Sequence, residues 1–259
     1  MSALLELNQV SKKITNQADS QTVLLKEIDL NVKEGEFVTI LGGNGAGKST
    51  LFNSIAGSTS ITKGRILVNG KDITRWEEEK RAAYVSRVFQ DPKTGTAPRM
   101  TVAENLLLAL RRGEKRKLFP RKISKYLTYF EELCEMSGNG LETHLDTPTE
   151  ILSGGQRQSL SLLMATLKDP ALLLLDEHTA ALDPQTSKRL MHLTDEIITK
   201  RQLTCLMITH RMEDALHYGN RLIVLEKGEI KHDLKEAEKA RLTLEDLFHL
   251  FEREESVLT

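Results

Sequence analysis

EFVTILGGNGAGKSTLFNSIAG, residues 36–57, is the stretch that decides which fold this sequence adopts. Its first six residues form a short apolar run typical of a buried β-strand, and its last seven have a helical pattern. The intervening GGNGAGKST fits the spacing G-x-x-x-x-G-K-[ST], and a strand before it and a helix after it are the context which that spacing requires. The stretch therefore predicts a phosphate-binding loop.

The glycines of this loop allow the backbone to curl so that successive N–H groups point at phosphate oxygens, and the following helix presents its positive end to the same anion. Lys48 is predicted to reach the outer phosphates of a nucleotide, and the Ser49 hydroxyl to bind Mg²⁺. The predicted nucleotide-binding residues of the loop are Gly42, Asn44, Gly45, Ala46, Gly47, Lys48, Ser49 and Thr50. A glycine turn with an unrelated lysine is disfavoured because strand, loop and helix occur together.

A second stretch, LLLLDEHTAALDP at 172–184, ends an apolar run on two carboxylates. A buried carboxylate without a partner is costly, so a cation or water must meet this pair. A strand buried on both faces of a parallel sheet is apolar throughout, and its carboxyl end opens at the edge where ligands bind. We therefore expect Asp176 to face Mg²⁺, which supplies the positive charge, and Glu177 to polarise the water that attacks the terminal phosphate. Alone, such an acid pair would more simply cap a helix.

Strand patterns alternate with helical ones along most of the chain, which favours an α/β fold with a mainly parallel sheet covered on both faces. The predicted strands are EFVTIL (36–41), GRILVNGKDI (64–73, with a turn at its Asn-Gly pair), AAYVSRVFQ (82–90), ALLLLD (171–176), LTCLMIT (203–209) and RLIVLEKGEI (221–230). Residues 91–160 are predicted to form an inserted α-helical lobe. Residues 1–259 are predicted to be a single domain with a helical tail from about residue 232.

The segment LTLEDLFHLFEREES, 242–256, has the pattern of one amphipathic helix. Its apolar side is predicted to carry Leu244, Leu247, Phe248 and Phe251. Packing of that side against the domain is the favoured interpretation, and a partner-binding helix is the alternative. The basic stretch RRGEKRKLFPRK, 111–122, is predicted to be a solvated face, with contact to anionic lipid headgroups or to acidic loops of a membrane protein as its alternative.

The composition excludes several classes of protein. The formal net charge is −1 and charged residues make up 28% of the chain, which favours neither nucleic-acid binding nor an acidic tail. No apolar run approaches the roughly 18 residues of a membrane span, and the N-terminal sequence lacks the features of a signal peptide. Cys134 and Cys205 are expected to be reduced thiols without a disulfide or a metal. A function at a membrane would therefore need a partner that holds the chain there.

The order of the motifs along the chain adds a family resemblance. The phosphate loop is followed by Gln90 at the end of SRVFQ, by LSGGQ at 152–156, by the strand that ends on the acid pair, and by CLMITH, which ends in His210. This order resembles the nucleotide-binding subunit of ATP-binding cassette (ABC) proteins over about residues 4–231. The resemblance implies a phosphate-loop ATPase core with a small antiparallel β-subdomain, and it implies ATP and Mg²⁺ as ligands.

The resemblance also assigns roles to residues whose types alone say little. Gln90 would contact Mg²⁺ and the attacking water, and His210 would hold the terminal phosphate and orient Glu177. Alone, both would be interpreted as ordinary polar strand ends. Asp183 matches a residue that faces the dimer partner. The signature that touches ATP held by the other subunit is matched by Ser153, Gly154, Gly155 and Gln156, although these residues also suit a helix N-cap. The expected Mg²⁺ ligands are Ser49, Gln90 and Asp176.

Two positions depart from the family pattern. The adenine ring usually stacks on an aromatic residue upstream of the phosphate loop, and the matching position, in VSKKIT, is Ile14. No aromatic residue or histidine precedes Phe37, so we expect Ile14 to cover the base without a π-face. The alternative is that Ile14 packs inside the early sheet. His178 follows the acid pair without a counterpart role in the family, and it is expected to pack or to form a hydrogen bond locally.

The family implies partners for this chain. Each ATP is held between two subunits arranged head to tail, and one phosphate loop and one LSGGQ occur here, so a homodimer is the simplest assembly and a heterodimer stays open. A separate cassette resembles the ATPase subunit of a bacterial importer at the cytoplasmic face of the cell membrane. Such a subunit works with an integral membrane permease, whose short cytoplasmic helix would enter a groove at 91–101, and with an extracytoplasmic substrate-binding lipoprotein.

The sequence leaves alternatives open for the cargo and for the class of protein. Some similar importers carry aromatic amino acids, which is an analogy because the ATPase subunit does not touch the cargo. A soluble ABC ATPase of the assembly or repair type is the alternative to an importer subunit. A small phosphate-loop kinase is disfavoured by LSGGQ and by His210.

Overall fold

The structure is a computed structural model that describes residues 3–15, 21–114 and 122–255, with side chains up to residue 250. Its strands are β1 (Ala3–Thr15), β2 (Gln21–Lys33), β3 (Phe37–Leu41), β4 (Lys63–Val68), β5 (Lys71–Asp72), β6 (Val85–Val88), β7 (Leu172–Asp176), β8 (Cys205–Ile208), β9 (Arg221–Glu226) and β10 (Glu229–Leu234). Each stretch predicted from the sequence to be a strand contains at least one strand, with shorter ends where the flanking residues leave the sheet.

The helices alternate with these strands over much of the chain. They are α1 (Lys48–Ala56), α2 (Glu78–Arg81), α3 (Pro92–Gly95), α4 (Val102–Leu110), α5 (Leu127–Glu135), α6 (Gly154–Thr166), α7 (Pro184–Arg201), α8 (Met212–His217), α9 (Glu236–Lys239) and α10 (Leu244–Glu255), with 3₁₀ turns at Ile123–Lys125, Leu141–His144 and Thr149–Ile151. Helices α4 and α5 lie within the stretch 91–160 that was predicted to be helical. Most of the basic stretch 111–122 lies outside the described residues.

The chain divides into two compact units, and the first comprises the described parts of residues 1–55, 59–75 and 204–259. Its small antiparallel sheet has the order β2-β1-β4-β5. In its other sheet, β3 pairs in parallel with β8 and β9, and β10 runs antiparallel to β9. All five residues of β3 are buried, as expected of an apolar strand covered on both faces.

The second unit comprises residues 56–58 and the described parts of 76–203. In it, β6 pairs in parallel with β7, and Arg87 lies opposite Leu174 in that pairing. Leu172–Leu175 are fully buried, whereas Asp176 at the end of β7 is half-buried. The fold class predicted from the sequence, α/β with mainly parallel pairing and a small antiparallel sheet, is confirmed.

The stretch RLIVLEKGEI is two strands, and the prediction of a single strand is wrong. Lys227 and Gly228 have φ values of 45° and 81°, which form a two-residue turn between β9 and β10 and place Glu226 opposite Glu229. The same geometry occurs at Asn69 and Gly70, where the hairpin was expected. β10 runs to Leu234, so it contains the first residues that were assigned to the helical tail.

The expected helix at the C-terminal end is present as α10, but its apolar side is partly wrong. Leu247 is fully buried in a cluster with Leu41, Ala215 and Leu222, and Leu242 and Leu250 pack against that cluster. Leu244 and Phe248 are exposed instead. The side chain of Phe251 lies outside the described residues. Helix α10 therefore packs on the rest of the first unit through a narrower apolar stripe than the sequence pattern indicated. No helix of the described part of the chain has the length and hydropathy of a membrane span.

Candidate functional site

The phosphate loop joins the end of β3 to α1, and its glycines are required by its backbone. Gly45 and Gly47 have φ values of 77° and 101°, a region that side chains disfavour. A Cβ atom at Gly47 would lie 2.7 Å from the carbonyl oxygen of Leu24, and one at Gly42 would lie 2.3 Å from that of Leu225. Strand β2 and the end of β9 therefore press on the loop, which leaves it little freedom to change shape.

Lys48 is held inside the loop. Its side chain is buried, and Nζ donates hydrogen bonds to the carbonyl oxygens of Gly42 at 2.7 Å and Gly43 at 3.1 Å. The ammonium is thus positioned by the same loop whose N–H groups are available to an anion. Around it, Asn44, Gly45 and Ser49 are exposed, Thr50 is half-buried, and Ala46 is buried with its carbonyl oxygen bonded to the Gly228 N–H at 3.0 Å.

His210 belongs to the same unit and the same sheet edge as the loop. Ile40 lies opposite Ile208 in the parallel pairing of β3 and β8, so Gly42 and His210 each follow two residues later. The Thr209 N–H donates to the Ile40 carbonyl oxygen at 3.2 Å and keeps the two strand ends together. The His210 side chain is exposed. This register is consistent with a role of His210 at the terminal phosphate, which stays a prediction.

Ile14 lies in β1 opposite Thr22 of β2 and is 39% exposed. The alternative that it packs inside the early sheet is therefore wrong. Its role at the adenine base stays a prediction.

In the second unit, the positive charge beside Asp176 comes from Arg87. The Arg87 Nη2 donates to Asp176 Oδ2, and the two side chains are only 11% and 14% exposed. An arginine of the neighbouring strand thus supplies a positive charge that the sequence analysis did not foresee, and the contact of Asp176 with Mg²⁺ stays a prediction. The signal in the sequence was the one charged residue, an arginine, within AAYVSRVFQ.

Glu177 follows Asp176 with a φ of 45°, an uncommon value for a residue with a side chain. It is half-buried, and its carbonyl oxygen accepts a hydrogen bond from the Ala180 N–H at 3.0 Å. Backbone strain of this kind persists where the surrounding structure holds it, and it is concentrated at functional positions. The sequence predicted the carboxylate as a base, whereas its backbone conformation was not predictable from the motif.

His178 has the local role expected of it. It is buried, and its Nε2 lies 3.0 Å from Thr194 Oγ1 on α7. Burial lowers the pKa of His178 to about 4, so the ring is neutral at physiological pH. The residue attaches the segment after the acid pair to the helix that follows.

The LSGGQ segment forms the N-terminus of α6. Ser153 Oγ accepts from the Gln156 N–H, and Gln156 Oε1 accepts from the Ser153 N–H, each at 3.2 Å, which is a capping box. A Cβ atom at Gly155 would lie 2.5 Å from Thr186 Cγ2, so a larger residue there would push against α7. The helix-capping interpretation of these residues and the phosphate-binding one are thus compatible, since a capped N-terminus still directs its dipole outward.

Asp183 caps α7 beside this segment. Its Oδ1 accepts from the backbone N–H groups of Gln185 at 3.1 Å and Thr186 at 3.0 Å, and hydrogen bonds from Thr186 lower the pKa of Asp183. A surface cavity of about 400 Å³ is lined by Asn139, Ser153, Gly154, Gly155, Gln156, Ala181, Leu182, Asp183 and Thr186. The structure therefore brings the predicted signature residues and Asp183 together on one face of the second unit.

Gln90 follows β6 and is exposed. It lines a second cavity, of about 320 Å³, together with Gly154, Arg157 and His178. Gln158 Nε2 on α6 donates to the Phe89 carbonyl oxygen at 2.9 Å, so the segment that carries Gln90 is tied to the helix of the signature.

A glycine loop that holds a lysine at the end of a parallel strand defines a phosphate-loop nucleotide-binding protein. The ABC transporter family model matches residues 25–180, and the chain belongs to this family. The resemblance drawn from the sequence is thereby confirmed, and the chain is an ATPase of the ABC class. ATP-binding subunits of this class dimerise and work with membrane permeases.

Individual relatives cover nearly the whole chain. A tyrosine transport ATP-binding protein of Clostridioides difficile (strain R20291) is 46% identical over 250 residues, which are 96% of this chain and 99% of the relative. A thiamine import ATP-binding protein of Yersinia pseudotuberculosis is 36% identical over 205 residues, 79% of this chain and 82% of the relative. These relatives support a transport subunit over the soluble alternative.

Solved structures agree with this assignment. The ATP-binding cassette MJ0796, dimeric and bound to ADP and phosphate, is similar with a TM-score of 0.77 and 28% identity over 90% of this chain and 98% of that one. The protein cbiO1 of Clostridium perfringens, part of an ABC transporter complex, gives a TM-score of 0.74 and 29% identity over 97% of this chain and 100% of that one.

Proposed function

We propose that this chain is the Mg²⁺-dependent ATPase subunit of an importer, that it acts as a homodimer, and that its cargo is tyrosine or a related aromatic amino acid. The observation that carries the proposal is the 46% identity to a tyrosine transport ATP-binding protein over 96% of this chain. The fold supports the ATPase part, since the phosphate loop and His210 follow adjacent parallel strands at one sheet edge. The cargo rests on that relative alone.

The proposed roles follow from the chemistry of the side chains. Lys48 neutralises the outer phosphates, and the loop N–H groups from Asn44 to Thr50 bind their oxygens. Glu177 accepts hydrogen bonds from the water that attacks the terminal phosphate, His210 orients Glu177 and that phosphate, and Ile14 covers one face of the adenine. The rate enhancement comes mostly from positioning and electrostatic stabilisation.

Mg²⁺ fits the donors that this chain offers. Ser49, Gln90 and Asp176 supply a hydroxyl, an amide oxygen and one carboxylate, all hard oxygen donors of the kind that Mg²⁺ prefers. A single carboxylate is typical of a Mg²⁺ ion that is shared with nucleotide phosphates. When bound, the ion neutralises charge on the phosphate oxygens. The Arg87–Asp176 ion pair holds Asp176 in place before any metal arrives.

The proposed dimer uses the signature residues. Ser153, Gly154 and Gly155, with the positive end of α6, would contact the terminal phosphate of ATP bound to the other subunit, and Asp183 would face that subunit. Gln156 shapes this segment through the capping box and through a 3.2 Å hydrogen bond from its Nε2 to the Asn139 carbonyl oxygen. One chain carries one phosphate loop and one signature, so two identical chains complete two ATP sites.

The proposed partners place the dimer at the cytoplasmic face of the cell membrane. An integral membrane permease would hold it there, and a substrate-binding lipoprotein would deliver the cargo on the other side. The segment from Asp91 to Thr101, which follows Gln90, is the proposed contact with the permease.

Uptake by reconstituted transporter tests the proposal. The chain would be co-expressed with an importer permease and its substrate-binding lipoprotein, and the complex would be purified into phospholipid vesicles. Labelled tyrosine should enter in an ATP-dependent manner, with Glu177→Gln as the inactive control and labelled thiamine as a cargo control. ATP hydrolysis by a purified chain that associates with no permease would contradict the importer assignment. Thiamine uptake in place of tyrosine uptake would contradict the cargo alone.

A further inference from the structure

Arg87 makes an ion pair with Asp176 that the family motif does not require. It lies in the middle of the parallel strand β6, and its Nη2 donates to Asp176 Oδ2 at the end of β7. Both side chains are nearly buried, at 11% and 14% exposure. In such surroundings water screens charges poorly, so the guanidinium acts strongly on any second cation that approaches the same carboxylate.

The guanidinium is held in place from a second direction. Its central carbon lies 4.7 Å from the centroid of the Phe89 ring, which is the geometry of a cation–π contact. The Phe89 carbonyl oxygen is in turn bonded to Gln158 Nε2 on α6. Arg87 is therefore fixed between an aromatic face and the carboxylate, and moving it off Asp176 costs more than moving an exposed arginine would.

We propose that Arg87 is a positioning residue that holds Asp176 and competes with the divalent metal for its carboxylate. The pair keeps the buried carboxylate neutralised in the absence of nucleotide and makes metal binding weak until nucleotide phosphates contribute further ligands. When the metal binds, it replaces the Arg87 guanidinium as the ionic partner of Asp176, and no covalent bond is made or broken in the protein. This inference rests on the proposed function, because it takes Asp176 as a ligand of Mg²⁺.

Mn²⁺ binding to the purified full-length protein tests the competition without measuring activity. The free Mn²⁺ signal in electron paramagnetic resonance would be titrated with wild type, Arg87→Met, Arg87→Gln and Arg87→Lys, in the absence of nucleotide. Arg87→Met and Arg87→Gln should bind Mn²⁺ about tenfold more tightly than wild type, since they remove the competing charge. Arg87→Lys retains that charge and should restore wild-type affinity.

Arg201→Met is the matched control. Arg201 Nη1 also pairs with an aspartate of the second unit, Asp169, at 3.2 Å, so this variant removes one positive charge and one ion pair away from Asp176. It should bind Mn²⁺ as wild type does. Arg87→Gln keeps a hydrogen-bond donor near Asp176 and provides the measurement if Arg87→Met fails to fold, and thermal unfolding identifies such a failure.

The results separate this inference from the proposed function. Equal or weaker Mn²⁺ binding by the neutral variants would overturn the competition between Arg87 and metal. A second titration, of ATP binding to wild type with and without Mg²⁺, tests the function. ATP binding that does not depend on Mg²⁺ would contradict the proposed function, whatever the Arg87 variants show.

Discussion

Glu177 joins a half-buried carboxylate to a left-handed backbone, with φ at 45°, and this combination costs on the order of 1–3 kcal/mol for a residue other than glycine. Glu177 follows the ion-paired Asp176, and the surrounding structure must hold its backbone in a conformation that glutamate itself disfavours.

Replacement of Glu177 by glutamine should separate binding from hydrolysis. The amide has the same shape but is a poor base, so ATP binding should persist while turnover falls by roughly 10² or more. Steady-state ATPase assays and fluorescent ATP titrations measure the two quantities. Hydrolysis near the wild-type rate would exclude Glu177 as the base.

His178 makes folding stability depend on pH. Burial lowers its pKa to about 4, whereas an unfolded histidine titrates near 6.5, so its contribution is complete above pH 6.5 and is lost as the pH falls toward 4. Between pH 7 and pH 5, wild type should lose about 2 kcal/mol more than His178→Gln, which has no such titration. Urea unfolding at the two pH values measures this difference, and parallel losses in both proteins would show that folding does not lower the pKa of His178.

At the scale of elements, α6 begins with a capping box that also occurs at α4, where Thr101 and Glu104 exchange the same pair of hydrogen bonds. A capping box stabilises a helix wherever it occurs, so the box alone does not identify a ligand site. The two capping boxes differ in their surroundings, because Ser153 at the start of α6 lines a cavity together with Gly155 and Asp183.

Ser153→Arg should block ATP-driven dimerisation. The long arginine side chain would occupy the space that we propose for the terminal phosphate of the ATP bound to the other subunit. Light scattering of the Glu177→Gln protein with ATP reports the dimer. Ser153→Ala loses the same cap, at a cost of about 1 kcal/mol, without adding bulk, and it should still dimerise. A normal dimer peak for Ser153→Arg would reject the head-to-tail arrangement.

Helix α10 shows why the periodicity of apolar residues predicted a helix but not its buried face. The sequence offered Leu244, Leu247 and Phe248 as one side, and the structure buries Leu247 alone of these three. The partners that select it, Leu41, Ala215 and Leu222, are distant in sequence. Leu247→Ala should cost about 2–4 kcal/mol and Phe248→Ala about 0.5 kcal/mol or less, as measured by urea unfolding. Similar costs for both would mean that Phe248 is packed as well.

The distinction between local sequence patterns and contacts of residues distant in sequence also explains which other features could be predicted. The phosphate loop, the apolar strands and the Asn69-Gly70 hairpin follow from local patterns, so they were predictable. The Lys227-Gly228 turn was missed because its first residue adopts a positive φ that lysine disfavours. Arg87 as the partner of Asp176 depends on the pairing of β6 with β7, two strands far apart in sequence, and no local pattern shows it.

At the scale of the whole molecule, the dimer that we propose combines ATP contacts from two chains. The loop and His210 belong to the first unit, and the signature and Asp183 to the second. MJ0796, which is similar over 90% of this chain, is a dimer with ADP and phosphate bound. A homodimer has two equivalent ATP sites if each takes the loop of one chain and the signature of the other.

Mixing two inactive variants should restore activity if the sites are shared in this way. Lys48→Ala lacks the cation that the loop holds, and Ser153→Arg obstructs the signature, so neither variant alone can form an intact ATP site. In a mixed dimer both defects fall on one site, and the other combines an intact loop with an intact signature. Each mixed dimer has one working site of two, so an equimolar mixture should regain ATPase activity, up to about half of the wild-type rate if all chains pair as mixed dimers. Two differently tagged samples of Lys48→Ala, mixed in the same way, provide the control and should stay inactive. A mixture of the two variants that also stays inactive, although tag pull-down shows that mixed dimers form, would contradict the shared sites.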